Sequence, residues 1–184
     1  MSKKQIIKKL VWIDLEMTGL DPVKHRIVEI AVIITDPKLK VIAQMYPIII
    51  HQSQKRLDKM NDEVTKILSK SGLINKIIKS KVSLKEAEVE VMKFVRKYVK
   101  KKESPLCGST IAQDRAFLQL YMPKFFDYLH HRTIDVSTLK QLYLNWHKKP
   151  KPFVKEKDTH RALDDIVESI EELKYYRRKF LKLK

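Results

Sequence analysis

The run Val11-Trp12-Ile13-Asp14-Leu15-Glu16 constrains what this chain can fold into more than any other stretch. Its Val, Trp and Ile content, followed by the turn signal Gly19-Leu20-Asp21-Pro22, reads as a β-strand. Alternation along a strand then puts Asp14 and Glu16 on one face, two residues apart. Two like charges side by side raise each other's pKa unless a cation neutralises them, and carboxylate oxygens are the ligands that Mg²⁺ or Mn²⁺ prefer. A strand end running out into solvent explains the same pair, so the strand alone leaves both readings open.

Two further Ile- and Val-rich stretches follow at 27–35 and 41–50, separated by Asp36-Pro37, and predict three consecutive antiparallel strands with the first. Over 84–98 the apolar residues Leu84, Ala87, Val91, Phe94, Val95 and Tyr98 recur at three- and four-residue steps, the period of an amphipathic helix. Pro105-Leu106-Cys107-Gly108 predicts a short strand, 133–135 a brief one, and helical patterns cover 113–121, 136–146 and 161–179. Strands first, then helices alternating with short strands, imply a mixed sheet covered by helices. The lysine-rich, two-proline segment 148–157 is expected to be an exposed loop, and 100–102 a solvated connector.

At 184 residues, with 43% of them hydrophobic, the chain suits one domain spanning 1–184 with its core over about 10–180. A formal charge of +17, from 39 Lys and Arg against 22 Asp and Glu, draws polyanions and makes their binding salt-dependent. A solvated basic surface accounts for the same charge, so charge alone does not select nucleic acid. Cys107 is the only cysteine, which excludes an internal disulfide and a multi-cysteine metal site and fits a reducing compartment. No secretory signal or membrane span is legible, and the protein is expected to be soluble, cytoplasmic and without a membrane partner.

Two later positions join the strand acids. Asp114 shares a helical face with Phe117, Leu118 and Tyr121 and is expected to point inward, although a first-turn acid favoured by the helix dipole fits as well. His160 opens the last helix and can accept a proton at physiological pH, as a general base must; it is equally readable as a simple helix start. Asp164 and Asp165 both lie off the centre of that helix's apolar stripe, and periodicity does not choose between them.

As an ordered set, Asp14-x-Glu16, Asp114 and His160-x-x-x-x-Asp165 resemble the DEDDh exonuclease pattern, whose spacing selects Asp165. Within it, Trp12-Ile13-Asp14-Leu15-Glu16-Met17-Thr18-Gly19-Leu20-Asp21-Pro22, Tyr121-Met122-Pro123, Asp135-Val136-Ser137-Thr138-Leu139-Lys140 and His160-Arg161-Ala162-Leu163-Asp164-Asp165-Ile166 resemble the oligoribonucleases nearly end to end. The resemblance implies an RNase H-like α/β fold, a mixed five-stranded sheet flanked by helices. It implies a 3′→5′ exoribonuclease that degrades short single-stranded RNA, down to dinucleotides, to nucleoside 5′-monophosphates. Asp14, Glu16, Asp114 and Asp165 would hold two divalent ions, Mg²⁺ or Mn²⁺, and His160 would take the proton of the attacking water. Thr110, Arg132, Ser137 and Lys140 would close around the 5′ phosphate, Leu20 would wedge against the bases, and His131 would reach the substrate of a neighbouring subunit in a homodimer.

The sequence departs from the family at Ser109, Thr110 and His131, where Asn, Ser and Tyr are usual, and at Glu63 and Leu68, where Trp and His lie near the bases. A hydroxyl survives at Thr110, and an imidazole at 131 still stacks, with less area. Rival readings are a DEDDh exonuclease on DNA or longer RNA ends, an RNase H-type endonuclease, and a non-catalytic RNA-binding module.

Overall fold

The computed structural model describes residues 7–155 and 160–179. Its centre is the antiparallel pair β1 (Leu10–Met17) and β2 (Ile27–Thr35), with Trp12 opposite Ile33, Asp14 opposite Ala31 and Glu16 opposite Glu29. Every residue of β2 is buried, so both of its faces are covered, and its near-continuous apolar run follows from that position. The single strand expected over 41–50 is two pieces, β3 (Val41–Gln44) and β4 (Ile48–Ile49), both antiparallel to β2. The interruption falls at Pro47, which has no N–H to give to a ladder. Beyond β1 lie β5 (Leu106–Gly108) and β6 (Thr133–Asp135), each parallel to its neighbour. The described sheet therefore has six strands, not five, in the order β3-β2-β1-β5-β6 with β4 alongside β2.

Three short helices, α1 (Gln54–Leu57), α2 (Asp62–Lys70) and α3 (Leu73–Lys79), fill a stretch to which the sequence assigned no element. They carry Leu57, Leu68, Leu73 and Ile77 onto Val28 of β2 as a small cluster of their own. Leu68 is thus core, whereas Glu63 is exposed. The expected helices follow: α4 (Leu84–Arg96), α5 (Ala112–Tyr121), α7 (Val136–Trp146) and α8 (Ala162–Lys179), with an additional α6 (Pro123–Tyr128) after α5. Ser83 and Glu86 close a reciprocal capping box at the start of α4, with Ser83 N–H donating to Glu86 Oε2 at 2.8 Å.

The sheet separates two cores. Val11, Ile13 and Leu15 of β1, with Ile30, Val32 and Ile34 of β2, pack under Val91, Val95, Phe117, Leu118 and Phe125 of α4 to α6. On the other face Trp12, Ala31 and Ile33 meet Val136 and Tyr143 of α7 and Ile166, Ile170 and Tyr176 of α8. Asp14 and Glu16 continue the register of Trp12, so the carboxylates emerge on the α8 side.

The connector 100–102 is exposed, as expected. The loop 148–157 is non-helical through Lys155, while Glu156 and Lys157 lie outside the described residues, as does Phe180. Much of that loop is held rather than loose. Phe153 packs on Tyr175 with ring centroids 5.9 Å apart, Tyr175 Oη donates to the Lys151 carbonyl, and Lys151 N–H donates to Tyr143 Oη at 3.3 Å.

Candidate active site

β5 ends at Gly108, where an added Cβ would lie 2.9 Å from the Ile13 carbonyl, and the chain then turns into α5. That turn brings Asp114, 5% exposed, back over β1, where its Oδ1 accepts the Leu15 N–H at 2.9 Å. α8 approaches the same end of β1 from the other side of the sheet. Carboxylate oxygens of Asp14, Glu16 and Asp165 all come within 4.8 Å of one another, the only such group that includes three acids among the described residues. Asp164 is exposed, so the fold makes the choice that periodicity left open. Asp114 stands outside this trio, held by the Leu15 N–H, although its charge still reaches Asp14.

The electrostatics follow from gathering like charges in a half-buried site. Burial, then the charges of Asp114, Asp165 and Glu16, hold the Asp14 carboxyl well above its usual range. Burial, with Asp165 and Glu29 adding, pushes Glu16 up to about 8. Burial raises Asp114 to about 7 against the opposing backbone N–H groups. Asp165 also moves up through burial, with Lys155 opposing. Carboxylates forced together in this way keep their protons or take a cation, and the all-oxygen donor set fits a hard divalent ion.

Two residues that the sequence reading did not single out hold the site. Glu29, fully buried opposite Glu16, receives Arg161 Nη2 at 2.6 Å, Arg161 Nε at 3.1 Å and the Ala162 N–H at 3.1 Å. This bidentate pair clamps the first turn of α8, and with it the neighbouring His160, against β2. His160 itself has φ 46°, a left-handed backbone that a non-glycine residue adopts only when its surroundings impose it. The second is Lys155, whose Nζ lies 3.2 Å from Asp165 Oδ1 and 3.1 Å from Glu168 Oε2. Burial works against its charge, but Glu168 and Asp165 hold the ammonium above its ordinary range. The loop is exposed as expected, Lys155 included, and from there it delivers a cation to the edge of the acidic cluster. The signal available in advance for Glu29 was a lone acid inside the apolar run Ile27-Val28-Glu29-Ile30-Ala31.

The remaining candidates divide. Thr110 and Ser137 come together: Thr110 N–H donates to Ser137 Oγ at 2.9 Å, their hydroxyls lie 3.1 Å apart, and Asp135 Oδ1 caps both backbone amides. Thr110, like His160, has a left-handed backbone, φ 52°. Leu20 is 72% exposed on the turn after β1, fastened by Gln113 Nε2 donating to its carbonyl. Arg132 is exposed. Lys140 is drawn toward buried Glu172, Nζ to Oε1 3.7 Å, rather than standing alone at the site. His131 is not with them. It precedes β6 and stacks on His130 with ring centroids 4.2 Å apart, whereas Asp135, which caps Thr110, closes the other end of that strand.

The RNase T family, described as exonucleases, matches residues 11–173. The chain is 51% identical over 176 residues to an oligoribonuclease of Haemophilus influenzae, covering 96% of this chain and 97% of that protein. It is 50% identical over 179 residues to an oligoribonuclease of Francisella tularensis subsp. novicida, covering 97% and 99%. Among solved structures it resembles exonuclease I of Methylocaldum szegediense, with a TM-score of 0.70 at 16% identity over 95% of this chain, and the metal-free exonuclease I of E. coli bound to single-stranded DNA, with a TM-score of 0.70 at 12% identity over 94%. This chain spans 41% and 40% of those two chains, and the likeness is one of fold.

Proposed function

This chain belongs to the oligoribonucleases of the RNase T exonuclease family and is a 3′→5′ exoribonuclease, and from that premise we propose how its own residues perform and limit the reaction. The observation that carries the reading is the convergence of Asp14, Glu16 and Asp165 within 4.8 Å, from a strand and a helix at opposite ends of the sequence. These three, with Asp114 beside them, would hold the divalent ions, Mg²⁺ or Mn²⁺. Bound there, such ions lower the pKa of an attacking water and offset the charge that develops on the departing 3′ oxygen.

His160 takes the proton of that water as its oxygen attacks the terminal phosphorus, and the bond to the 3′ oxygen breaks to release a nucleoside 5′-monophosphate. Its left-handed backbone and the Glu29–Arg161 clamp restrain the start of α8 where His160 stands, and its charge is felt at Asp165, so little reorganisation is left for the reaction itself. The paired hydroxyls of Thr110 and Ser137 receive the 5′ phosphate of a short RNA, and Arg132 and Lys140 supply positive charge around it. Leu20 lies against the bases. Since Glu63 is exposed and Leu68 is core, neither supplies a stacking surface of the Trp and His kind, and base contacts rest on Leu20 and on His131. His131 stands before β6, at the opposite end of that strand from the Asp135 that caps Thr110, and we assign it to the pocket of the other subunit in a homodimer. Among the described residues no helix is long and apolar enough to cross a membrane, and we place the enzyme in the cytoplasm.

The test is product analysis on 5′-labelled RNAs from the dinucleotide to roughly twenty nucleotides, longer than a single-strand groove usually covers, with Mg²⁺, with Mn²⁺ and with chelator. Metal-dependent release of mononucleotides, fastest on the dinucleotide, is the expected outcome. Equal rates per end at every length would overturn the closed 5′-phosphate pocket.

A further inference from the structure

We propose that Lys155 is an internal counter-ion for the carboxylate cluster, bridging Asp165 and Glu168 when no divalent ion is bound and retreating onto Glu168 alone when one binds. The inference rests on the reading of Asp14, Glu16 and Asp165 as a metal site.

The geometry gives Lys155 two partners with different duties. Asp165 belongs to the converging trio, whereas Glu168 does not, and the two lie one turn apart on the same face of α8. Lys155 Nζ sits almost equidistant between them, at 3.2 and 3.1 Å. An ammonium on Asp165 Oδ1 competes with any cation for that oxygen and repels it besides. Without such a charge, the three acids Asp14, Glu16 and Asp165 would face one another in a partly dry site; with it fixed in place, a divalent ion would be excluded. Glu168, with its side chain only 13% exposed, resolves the conflict by keeping hold of the ammonium after Asp165 is surrendered. The loop is built for a short movement: Phe153 and Lys151 are anchored on Tyr175 and Tyr143, so Lys155 swings from a fixed point two residues away.

The effects on metal affinity have opposite signs at the two ends of the bridge. In chelator-stripped full-length protein, Mn²⁺ binding followed by loss of the free-ion electron paramagnetic resonance signal should tighten in Lys155→Met by roughly tenfold, the size that outer partners of metal ligands carry. Glu168→Gln should weaken it several-fold, because Lys155 then stays on Asp165. In the Lys155→Met background, Glu168→Gln should change nothing. The metal-free melting temperature of Lys155→Met should fall, and saturating Mn²⁺ should erase the difference from wild type. Unchanged or weaker Mn²⁺ binding in Lys155→Met overturns the counter-ion role, and a Glu168→Gln effect that survives in the double variant shows that Glu168 acts by its own charge. Wild type that binds no Mn²⁺ would sink the metal site itself, while wild type that binds and an Asp165→Asn variant that does not would uphold it whatever Lys155 does.

Discussion

The two faces of the central sheet are made by the same two strands, in the same register, and bury opposite things. Under α4 to α6 the cross-strand pairs Val11 with Ile34, Ile13 with Val32 and Leu15 with Ile30 are apolar throughout. On the α8 side the pattern begins as apolar, Trp12 with Ile33, and then becomes Asp14 with Ala31 and Glu16 directly opposite Glu29. Like charges placed opposite each other in a ladder are destabilising, and burial adds to that cost. Stability and chemistry are therefore divided between faces. One is packed core throughout, and the other passes from core into a group of acids that Arg161, Lys155 or a divalent ion balances.

The sharpest way to break this comparison is to change chain neighbours that point to opposite faces. Asp14→Asn is expected to reduce hydrolysis to background, measured as mononucleotide release, while the metal-free melting temperature at pH 8 rises. Ile13→Ala should do the reverse, losing about 2–5 kcal/mol in a denaturant titration, as large-to-small core changes do, with turnover per folded molecule retained. A variant pair that behaved alike would mean that the faces are not independent.

His160→Ala should slow turnover by about 10²–10⁴-fold, the usual contribution of a positioned general base, while Mn²⁺ binding stays largely in place. An unchanged rate would remove His160 from the chemistry. Glu29→Gln should lower turnover by roughly 10–100-fold, in line with outer partners of metal ligands, and should also destabilise the fold, since Arg161 loses its charged partner. The distinguishing readout is kcat against KM: a clamp on His160 moves kcat, whereas general loosening of the pocket moves both.

The smallest expected effect is a pH trend in the metal-free protein. A carboxyl whose pKa is higher folded than unfolded holds more protons in the folded state, so stability falls as pH rises between the two values. For Glu16 that window runs from its ordinary 4.5 to about 8, and for Asp114 from 3.8 to about 7. Metal-free melting temperature should therefore decline from about pH 5 to pH 8, and Mg²⁺ or Mn²⁺ should raise it more at pH 8 than at pH 6. Glu16→Gln should flatten the decline. A metal-free protein whose stability rises over this range would contradict the charged-face account.

How much of this was legible in advance varies with how local the signal is. The strand bearing Asp14 and Glu16, the amphipathic α4, and α7 and α8 were readable because their periodicities lie within a few turns of sequence. The three short helices over 54–79 were not, because their apolar residues are spaced for contact with Val28 rather than for a helix of their own. β3 and β4 read as one strand because Pro47 was outweighed by the surrounding isoleucines. The loop before α8 is exposed through Lys155 except at half-buried Phe153, as its composition implies, but composition gave no sign that Tyr143 and Tyr175 hold Lys151 or that Lys155 meets Asp165.

Sequence alone determined the strand with its paired acids and the histidine at the head of the last helix, and spacing matched to a known pattern chose Asp165 and favoured an inward Asp114. The paired acids follow from alternation along a strand, and the later residues from the spacing of a known pattern. Only the tertiary structure decided that Glu29 and Arg161 clamp that helix, that Lys155 faces Asp165, that Lys140 turns to Glu172, and that His131 lies at the far end of β6 from Thr110. Each of these joins residues that no local period relates, and a buried charge finds its partner by where the chain has already been packed, not by how far along the chain the partner lies.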